Sequence, residues 1–309
     1  MPRQGQSVES CIIVEWRTKE GDTIAEGEPI CDIETDKATF EVEAPASGTV
    51  LGIFYPVDSD VEVLKVIAAP EHLPALVKLL IDAQSSSDRS ECQKTVAAVA
   101  HKIEDKSNQA KAVLAVLPSV RQTQGRCSLL GVLGKIGDNK ALGVLAAAIK
   151  EENPDIQTAA IRSLAEWPTP EPLDGLLKVA ESSKNKLHRI LALRGFVRLL
   201  ALESKRPAEK TIEMYKKAMS LAPDAGEKRR VLSGLANAKS RAALEMATAY
   251  LEDESLSREA EYAVVKIAEG IHADLPDLAK ETLKKIIART KNNTLREQAQ
   301  EILEKMEQL

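Results

Sequence analysis

The side chain best suited to chemistry in this sequence is a single amine. Lys37 stands in Glu34-Thr35-Asp36-Lys37-Ala38, between two runs of β patterning, the second of them Thr39-Phe40-Glu41-Val42-Glu43-Ala44-Pro45. That arrangement predicts a hairpin with Lys37 at its tip among acidic neighbours. An amine held there stays out of the core and is open to covalent modification.

Other groups with chemical potential are scattered. Cys11, Cys31, Cys92 and Cys127 lie far apart, with no CxxC pair and no companion His at metal-ligand spacing, so they read as reduced, mostly packed thiols and no metal site is expected. The histidines, His72, His101, His188 and His272, are likewise isolated and read as packed or solvated residues. His272-Ala273-Asp274 is read as a loop before a helix, with Asp274 as the helix N-cap. There is no Walker loop, no GxGxxG after a strand and no GxSxG elbow. The basic clusters Lys184 to Arg189, Lys228-Arg229-Arg230 and Lys284-Lys285 read as solvated helix faces.

The elements that must carry Lys37 follow from periodicity. Over the first seventy residues the period is two: Ile12, Val14 and Trp16 alternate with Ile13, Glu15 and Arg17, and Phe40 and Val42 alternate with Glu41 and Glu43, as half-buried strands require. Gly21-Asp22, Glu26-Gly27, Pro45 and Gly48 supply turns. A weak internal repeat aligns Ile24–Ile30 with Val61–Ile67, which predicts a small flattened β-barrel with approximate twofold symmetry, its halves joined by the Lys37 hairpin. In this alignment Leu64 takes the place of Gly27. If that position needs a positive φ, a leucine there is strained, and the second-half turn is expected to be rearranged or looser.

Charge divides along the same line. Residues 1–70 hold 5 Lys+Arg and 14 Asp+Glu, a net of −9, and the remainder of the 42 basic and 47 acidic residues gives 37 and 33, a net of +4. An acidic head of this kind repels nucleic acid and anionic membranes, so neither is expected as a partner.

Residues 1–69 resemble the lipoyl domain of the acyltransferase (E2) components of 2-oxoacid dehydrogenase complexes. The matching stretches are Gly5-Gln6-Ser7-Val8-Glu9, Val14-Glu15-Trp16, Glu20-Gly21-Asp22, Gly27-Glu28-Pro29-Ile30, Glu34-Thr35-Asp36-Lys37-Ala38, Glu41-Val42-Glu43-Ala44-Pro45 and Ser47-Gly48-Thr49-Val50. The resemblance implies lipoic acid in amide linkage on Lys37, with Glu34, Thr35, Asp36 and Ala38 as the context a modifying enzyme recognises. Related biotin carriers usually flank their lysine with methionine, whereas Asp36 and Ala38 stand here. In such a carrier the cofactor holds the redox and acyl-transfer chemistry, and Lys37 is neither acid, base nor nucleophile. The family's second-half glycines are replaced by Asp58 and Leu64.

After Pro70 the period becomes helical. Leu142, Leu145 and Ile149 share a face, as do Ile156, Ala160 and Leu164, then Ala243, Leu244, Ala247 and Leu251, then Leu256, Ala260, Val264 and Ile267. Breaks at Gly137-Asp138-Asn139, Asn153-Pro154-Asp155, Pro168-Thr169-Pro170, Ser183-Lys184-Asn185, Ala222-Pro223-Asp224 and Asp253-Glu254-Ser255 supply caps and N1 prolines. Tiling gives about seven helix pairs near 71–104, 106–137, 138–167, 170–203, 207–237, 239–271 and 274–308, the size range of two-helix repeats. This part resembles a HEAT-repeat or armadillo-like α-solenoid, most clearly at Leu129–Asp138, where small residues permit close helix approach.

The fold class is therefore a small β-domain followed by an all-α solenoid, with domains expected at 1–69 and 70–309. None of the four histidines sits in the His/Asp/Gly signature of E2 acyltransferases, so the chain is expected to be a carrier component without a catalytic site of its own. The expected partners are proteins: a lipoate ligase or lipoyl transferase, 2-oxoacid dehydrogenase-type enzymes and dihydrolipoamide dehydrogenase. The alternative is an interaction protein whose β-domain is unmodified. No apolar run is long enough to span a bilayer and Met1–Gln6 has no apolar core, which sets the expected location as cytoplasmic.

Overall fold

A computed structural model of the protein describes residues 11–34, 39–44, 47–50, 53, 60–61 and 70–307. By compactness the chain divides into two units, Met1–Val113 and Leu114–Leu309.

In the first unit the strands are β1 (Cys11–Trp16), β2 (Thr23–Ile24), β3 (Pro29–Glu34), β4 (Thr39–Glu43), β5 (Gly48–Thr49) and β6 (Asp60–Val61). Among the described residues they form a four-stranded sheet in the order β4-β3-β1-β6 and a two-stranded sheet of β2 and β5, all pairs antiparallel. β4 alternates as its sequence requires, with Phe40 and Val42 half-buried and Thr39, Glu41 and Glu43 exposed.

β1 departs from the simple alternation. Ile13 is the buried residue while Ile12 and Val14 are exposed, opposite to the phase expected from the first residues of the strand. The register against β3 slips between Ile13, opposite Ile33, and Glu15, opposite Asp32, so Val14 is an extra residue. Such a bulge leaves two consecutive side chains outward and shifts the inward phase to Trp16 and Thr18.

Two turns shape this sheet with one device. In Lys19–Asp22 the Asp22 amide donates to Lys19 O (3.1 Å), Gly21 has φ +91°, and the Lys19 amide donates to Asp22 Oδ2 at 2.7 Å. In Ala25–Glu28 the Glu28 amide donates to Ala25 O (3.1 Å), Gly27 has φ +85°, and the Ala25 amide donates to Glu28 Oε2 at 2.8 Å. A positive φ at the third turn position is the type II requirement, met here by glycine without strain. Each glycine amide also grips the opposing chain, Gly21 on Val50 O and Gly27 on Ala44 O, both at 2.8 Å. The Gly27 position thus has the positive φ on which the expectation for Leu64 depended, while Asp58 and Leu64 lie outside the described residues.

Fourteen α-helices follow among the described residues: α1 (Leu73–Asp82), α2 (Ser86–His101), α3 (Lys111–Val116), α4 (Thr123–Ile136), α5 (Leu142–Ala148), α6 (Pro154–Ala165), α7 (Leu173–Ser182), α8 (Lys186–Leu200), α9 (Ala208–Leu221), α10 (Ala225–Leu235), α11 (Arg241–Thr248), α12 (Ser257–Ile271), α13 (Pro276–Arg289) and α14 (Asn293–Glu307). They fall two by two into the seven expected segments. In the second unit α5 packs on α6, α7 on α8, α9 on α10, α11 on α12 and α13 on α14. The second helix of each pair also packs on the next, in the series α4, α6, α8, α10, α12, α14. Each pair alone would expose one apolar face, and the stack buries it.

The caps follow the break residues. Asn153 Oδ1 accepts from the amides of Asp155 and Ile156 with Pro154 at N1, Asn185 caps α8, Asp224 caps α10 and Ser240 caps α11. Asp274 does not cap α13: the N-cap position belongs to Leu275, with no side-chain cap bond. Pro276 takes N1, where its missing amide is harmless, and this places the acid one residue too early.

Close approach between helix pairs depends on glycine. A Cβ on Gly134 would stand 2.7 Å from Ser163 Cα, and one on Gly195 2.6 Å from Ala165 Cα. Serine and alanine opposite glycine let α4, α6 and α8 touch nearly backbone to backbone. Ser163 Oγ donates to Leu130 O at 2.8 Å across that contact.

Candidate functional site

The strands on either side of Lys37 are held in one register. β3 and β4 pair Asp32 with Glu41, Ile33 with Phe40 and Glu34 with Thr39, so the ladder ends at Glu34 and Thr39, both exposed. Thr35, Asp36, Lys37 and Ala38, which link them in the chain, lie outside the described residues.

One face of this hairpin carries its charge. Asp32 and Glu41 stand directly opposite one another, an unfavourable pairing of like charges. Arg17 relieves it: its Nε and Nη2 donate to Asp32 at 3.0 and 2.8 Å, and Nη2 lies 3.0 Å from Glu41 Oε1. The bond to Asp32 and its charge raise the Arg17 pKa above its ordinary value. Period two puts Glu34 on the same face as Asp32, one rung nearer the end of the ladder. With three carboxylates and one guanidinium, the face leading to residues 35–38 is acidic.

The histidines are placed without a common site. His188 is buried, its Nε2 2.9 Å from Thr158 Oγ1, and that hydroxyl donates to Pro154 O at 2.7 Å. Asn185 Nδ2 lies 3.5 Å from the same Nε2, and burial lowers the pKa of the ring. His272 Nδ1 bonds Glu269 O at 2.5 Å, at the end of its own helix. His72 and His101 are exposed. Cys31 is buried, and burial raises the pKa of Cys92 and Cys127. Among the described residues no group of three His, Cys, Asp or Glu could hold a metal ion, and no helix is long and apolar enough to cross a membrane.

In the helical unit, the basic clusters make local bonds: Arg189 to Ser183 O in the loop preceding its helix, and Arg230 to Glu227 and Lys285 to Glu281 within theirs. The Trp167 to Pro172 turn is a rigid connector, with Trp167 fully buried and its carbonyl accepting from Arg198 Nη2. Sequence reading missed the bonds that join one pair to the next. Arg194 grips Glu227 through Nη2 at 2.5 Å, Arg198 Nε donates to Ala165 O at 2.6 Å, and Arg126 makes a two-point contact with Glu151 at 2.7 and 2.9 Å. The signal was present: the first two, like Ser163 to Leu130, join residues 33 apart, the length of one repeat.

Comparison with known proteins agrees with this division of labour. Residues 1–69 match the "Biotin-requiring enzyme" family and residues 111–196 match HEAT repeats. The lipoamide acyltransferase component of the branched-chain alpha-keto acid dehydrogenase complex of Pseudomonas putida is 45% identical over 53 residues, covering 17% of this chain and 12% of its own. The dihydrolipoyllysine-residue acetyltransferase component of the pyruvate dehydrogenase complex of Rhizobium meliloti is 44% identical over 60 residues, 19% of this chain and 13% of that one. The dihydrolipoyllysine-residue succinyltransferase component of the 2-oxoglutarate dehydrogenase complex of Bartonella vinsonii subsp. berkhoffii is 28% identical over 167 residues, 52% of this chain and 38% of that one. The chain therefore spans well under half the length of these relatives. A solved structure of Kap121p bound to Nup53p superposes with a TM-score of 0.50 at 12% identity over 77% of this chain and 29% of that one, a likeness of fold. The chain joins a lipoyl domain, homologous to those of E2 components, to HEAT repeats.

Proposed function

We propose that Lys37 carries one lipoyl group in amide linkage, and that residues 1–69 form a carrier domain serving a 2-oxoacid dehydrogenase or another lipoate-dependent system. Residues 70–309 then act as a protein-interaction scaffold. The observation that carries this reading is the lysine tetrapeptide at 35–38, joined directly to a ladder that ends in the exposed pair Glu34 and Thr39, within a domain homologous to E2 lipoyl carriers.

The described strands suit such a group. A prosthetic arm needs a lysine reached from solvent and an immobile base, and the β3–β4 ladder supplies the base. When bound, lipoic acid supplies the disulfide that accepts acyl groups and electrons. The chain's own part is to position the arm and to be recognised. Asp36 and Ala38, rather than methionines, support lipoyl over biotinyl attachment. The acidic face of Asp32, Glu34 and Glu41 suits a modifying or acylating enzyme with a basic surface, whose encounter would weaken with salt.

Expression with a lipoate ligase, followed by peptide mass spectrometry, tests attachment. A lipoylated Lys37 supports the reading, and a biotinylated or bare Lys37 overturns it. Reductive acylation of the modified protein by a 2-oxoacid decarboxylase, and its reoxidation by dihydrolipoamide dehydrogenase, test the partners.

A second reading has its own motive in Gly27. Its φ is +85°, and if the aligned position needs the same backbone, Leu64 there is strained; with Asp58 and Leu64 in place of the family's glycines, a β-domain retained without cofactor is the competing account. Lys37→Ala separates the two: partner capture and cellular function are lost for a carrier and unchanged for a cofactor-free interaction protein.

A further inference from the structure

Several arginines of the helix pairs are already bonded. Arg289, for example, faces a cavity of about 690 Å³ but donates to Glu252, Glu261 and Leu251 O. A second cavity, of about 440 Å³, differs. It lies between the loop joining α8 to α9 and the loop joining α10 to α11, and Arg206 and Lys239 line it. Neither cation has an ion-pair partner among the described residues, and Arg206 Nη1 is buried with no hydrogen-bond partner.

A guanidinium nitrogen removed from water without an acceptor is costly, and native structures rarely leave one so. Asp174 and Tyr215 are near enough for their charge or dipole to act on Arg206, yet neither bonds Nη1. The Tyr215 hydroxyl donates to Gly234 O at 2.9 Å, and the Asn237 amide donates to the same carbonyl at 3.2 Å. Glu203, the one acidic residue lining this cavity, forms no ion pair with Arg206. Lys239 is braced for the site: its stem crosses Gly270, where a Cβ would stand 2.9 Å from Lys239 Cγ.

The two cations are also equivalent in the repeat. Arg206 and Lys239 each stand two residues before the first residue of the next helix, Ala208 and Arg241. Consecutive repeats thus bring a positive charge to corresponding positions on one cavity.

We propose that this cavity is a binding site for a carboxylate, held by the half-buried Arg206 guanidinium and by Lys239 at the mouth. The planar fork of arginine suits a carboxylate, and a compact ammonium beside it reinforces the charge. The carboxylate comes from a small dicarboxylic acid or from an acidic side chain or C-terminus of a bound peptide. This site is independent of whether Lys37 is modified.

The test uses the ¹⁵N-labelled full chain, titrated with glutarate, with an acetylated peptide ending in Asp-Glu, with inorganic phosphate, and with chloride at matched ionic strength. The expected result is saturable shifts at Asn237 to Ser240 and at the Arg206 Nε resonance with glutarate or the peptide. The tighter of the two identifies the source. Arg206→Gln weakens binding by about tenfold or more, consistent with loss of a two-point charged contact. Lys239→Gln weakens it less, and Arg230→Gln, an exposed cation elsewhere, leaves it unchanged. Linear shifts shared with chloride, a clear preference for phosphate, or unchanged glutarate binding in Arg206→Gln would each overturn the proposal. Should Arg206→Gln lose its helical circular dichroism, Lys239→Gln decides, because its exposed head group bears no fold contact.

Discussion

Gly195→Ala and Gly143→Ala should change stability in opposite directions, although both replace a helical glycine with the best helix former. Without tertiary contacts the gain from helix propensity is roughly 1 kcal/mol in a helix interior such as Gly195, and about half to all of that at Gly143, the second residue of α5. At Gly143 an added Cβ meets nothing within 4 Å, so that gain is realised. At Gly195 it stands 2.6 Å from Ala165 Cα and within 3.1 Å of Leu176 Cδ1, against a carbon contact distance of about 3.5–4.0 Å. The contact with Ala165 is with backbone, which cannot rotate away, so α6 and α8 must part by roughly 1 Å. Overpacking of that kind costs roughly 1–3 kcal/mol, and a rigid backbone obstacle favours the upper end. The net loss is about 1–2 kcal/mol after the propensity gain. For a unit of this size each kcal/mol moves Tm by roughly 2–4 °C, which predicts a fall of about 2–8 °C for Gly195→Ala. Gly143→Ala should rise by about 1–4 °C on the same scale. The assay is thermal unfolding followed by helical circular dichroism, which reports mostly on α4 to α14. Shifts of the same sign in both variants would refute the stacking argument.

Two further predictions concern strain and protonation. Gly27→Ala meets no atom within 4 Å, yet its φ of +85° should lower the stability of the β-domain by roughly 1–2 kcal/mol, read from the intrinsic fluorescence of Trp16. An unchanged midpoint would mean that the Ala25–Glu28 turn is not as described. His188 has its pKa lowered by burial, so the unfolded chain binds the extra proton first. The stability held by the neutral ring is therefore full above the unfolded value of about 6.5 and declines as pH falls below it. His188→Gln should flatten the dependence of Tm on pH between pH 7 and pH 5 relative to the parent, and parallel profiles would contradict the assignment.

Helix pairing was legible because its signals are local. Asn153-Pro154, Asn185, Asp224 and Ser240 mark helix starts by chemistry that needs no distant partner. Asp274 misled for an equally local reason: Pro276 claims N1, and Leu275 falls at the cap. The phase of β1 was not legible, since the extra residue Val14 exists only relative to the register of β3. Arg194 with Glu227, and Arg17 between Asp32 and Glu41, are long-range pairs of the same kind. Their charges show in the sequence, but their meeting depends on packing. For the site itself, sequence supplied Lys37 and its acidic context, and the structure added the register that ends at Glu34 and Thr39.

The most direct measurement is the intact mass of the full chain after expression with a lipoate ligase, alongside Lys37→Ala. A single lipoyl adduct is expected on the parent, located to Lys37 by peptide fragmentation, and none on the variant. An unmodified parent, a biotinyl adduct, or an adduct that persists in Lys37→Ala would contradict it.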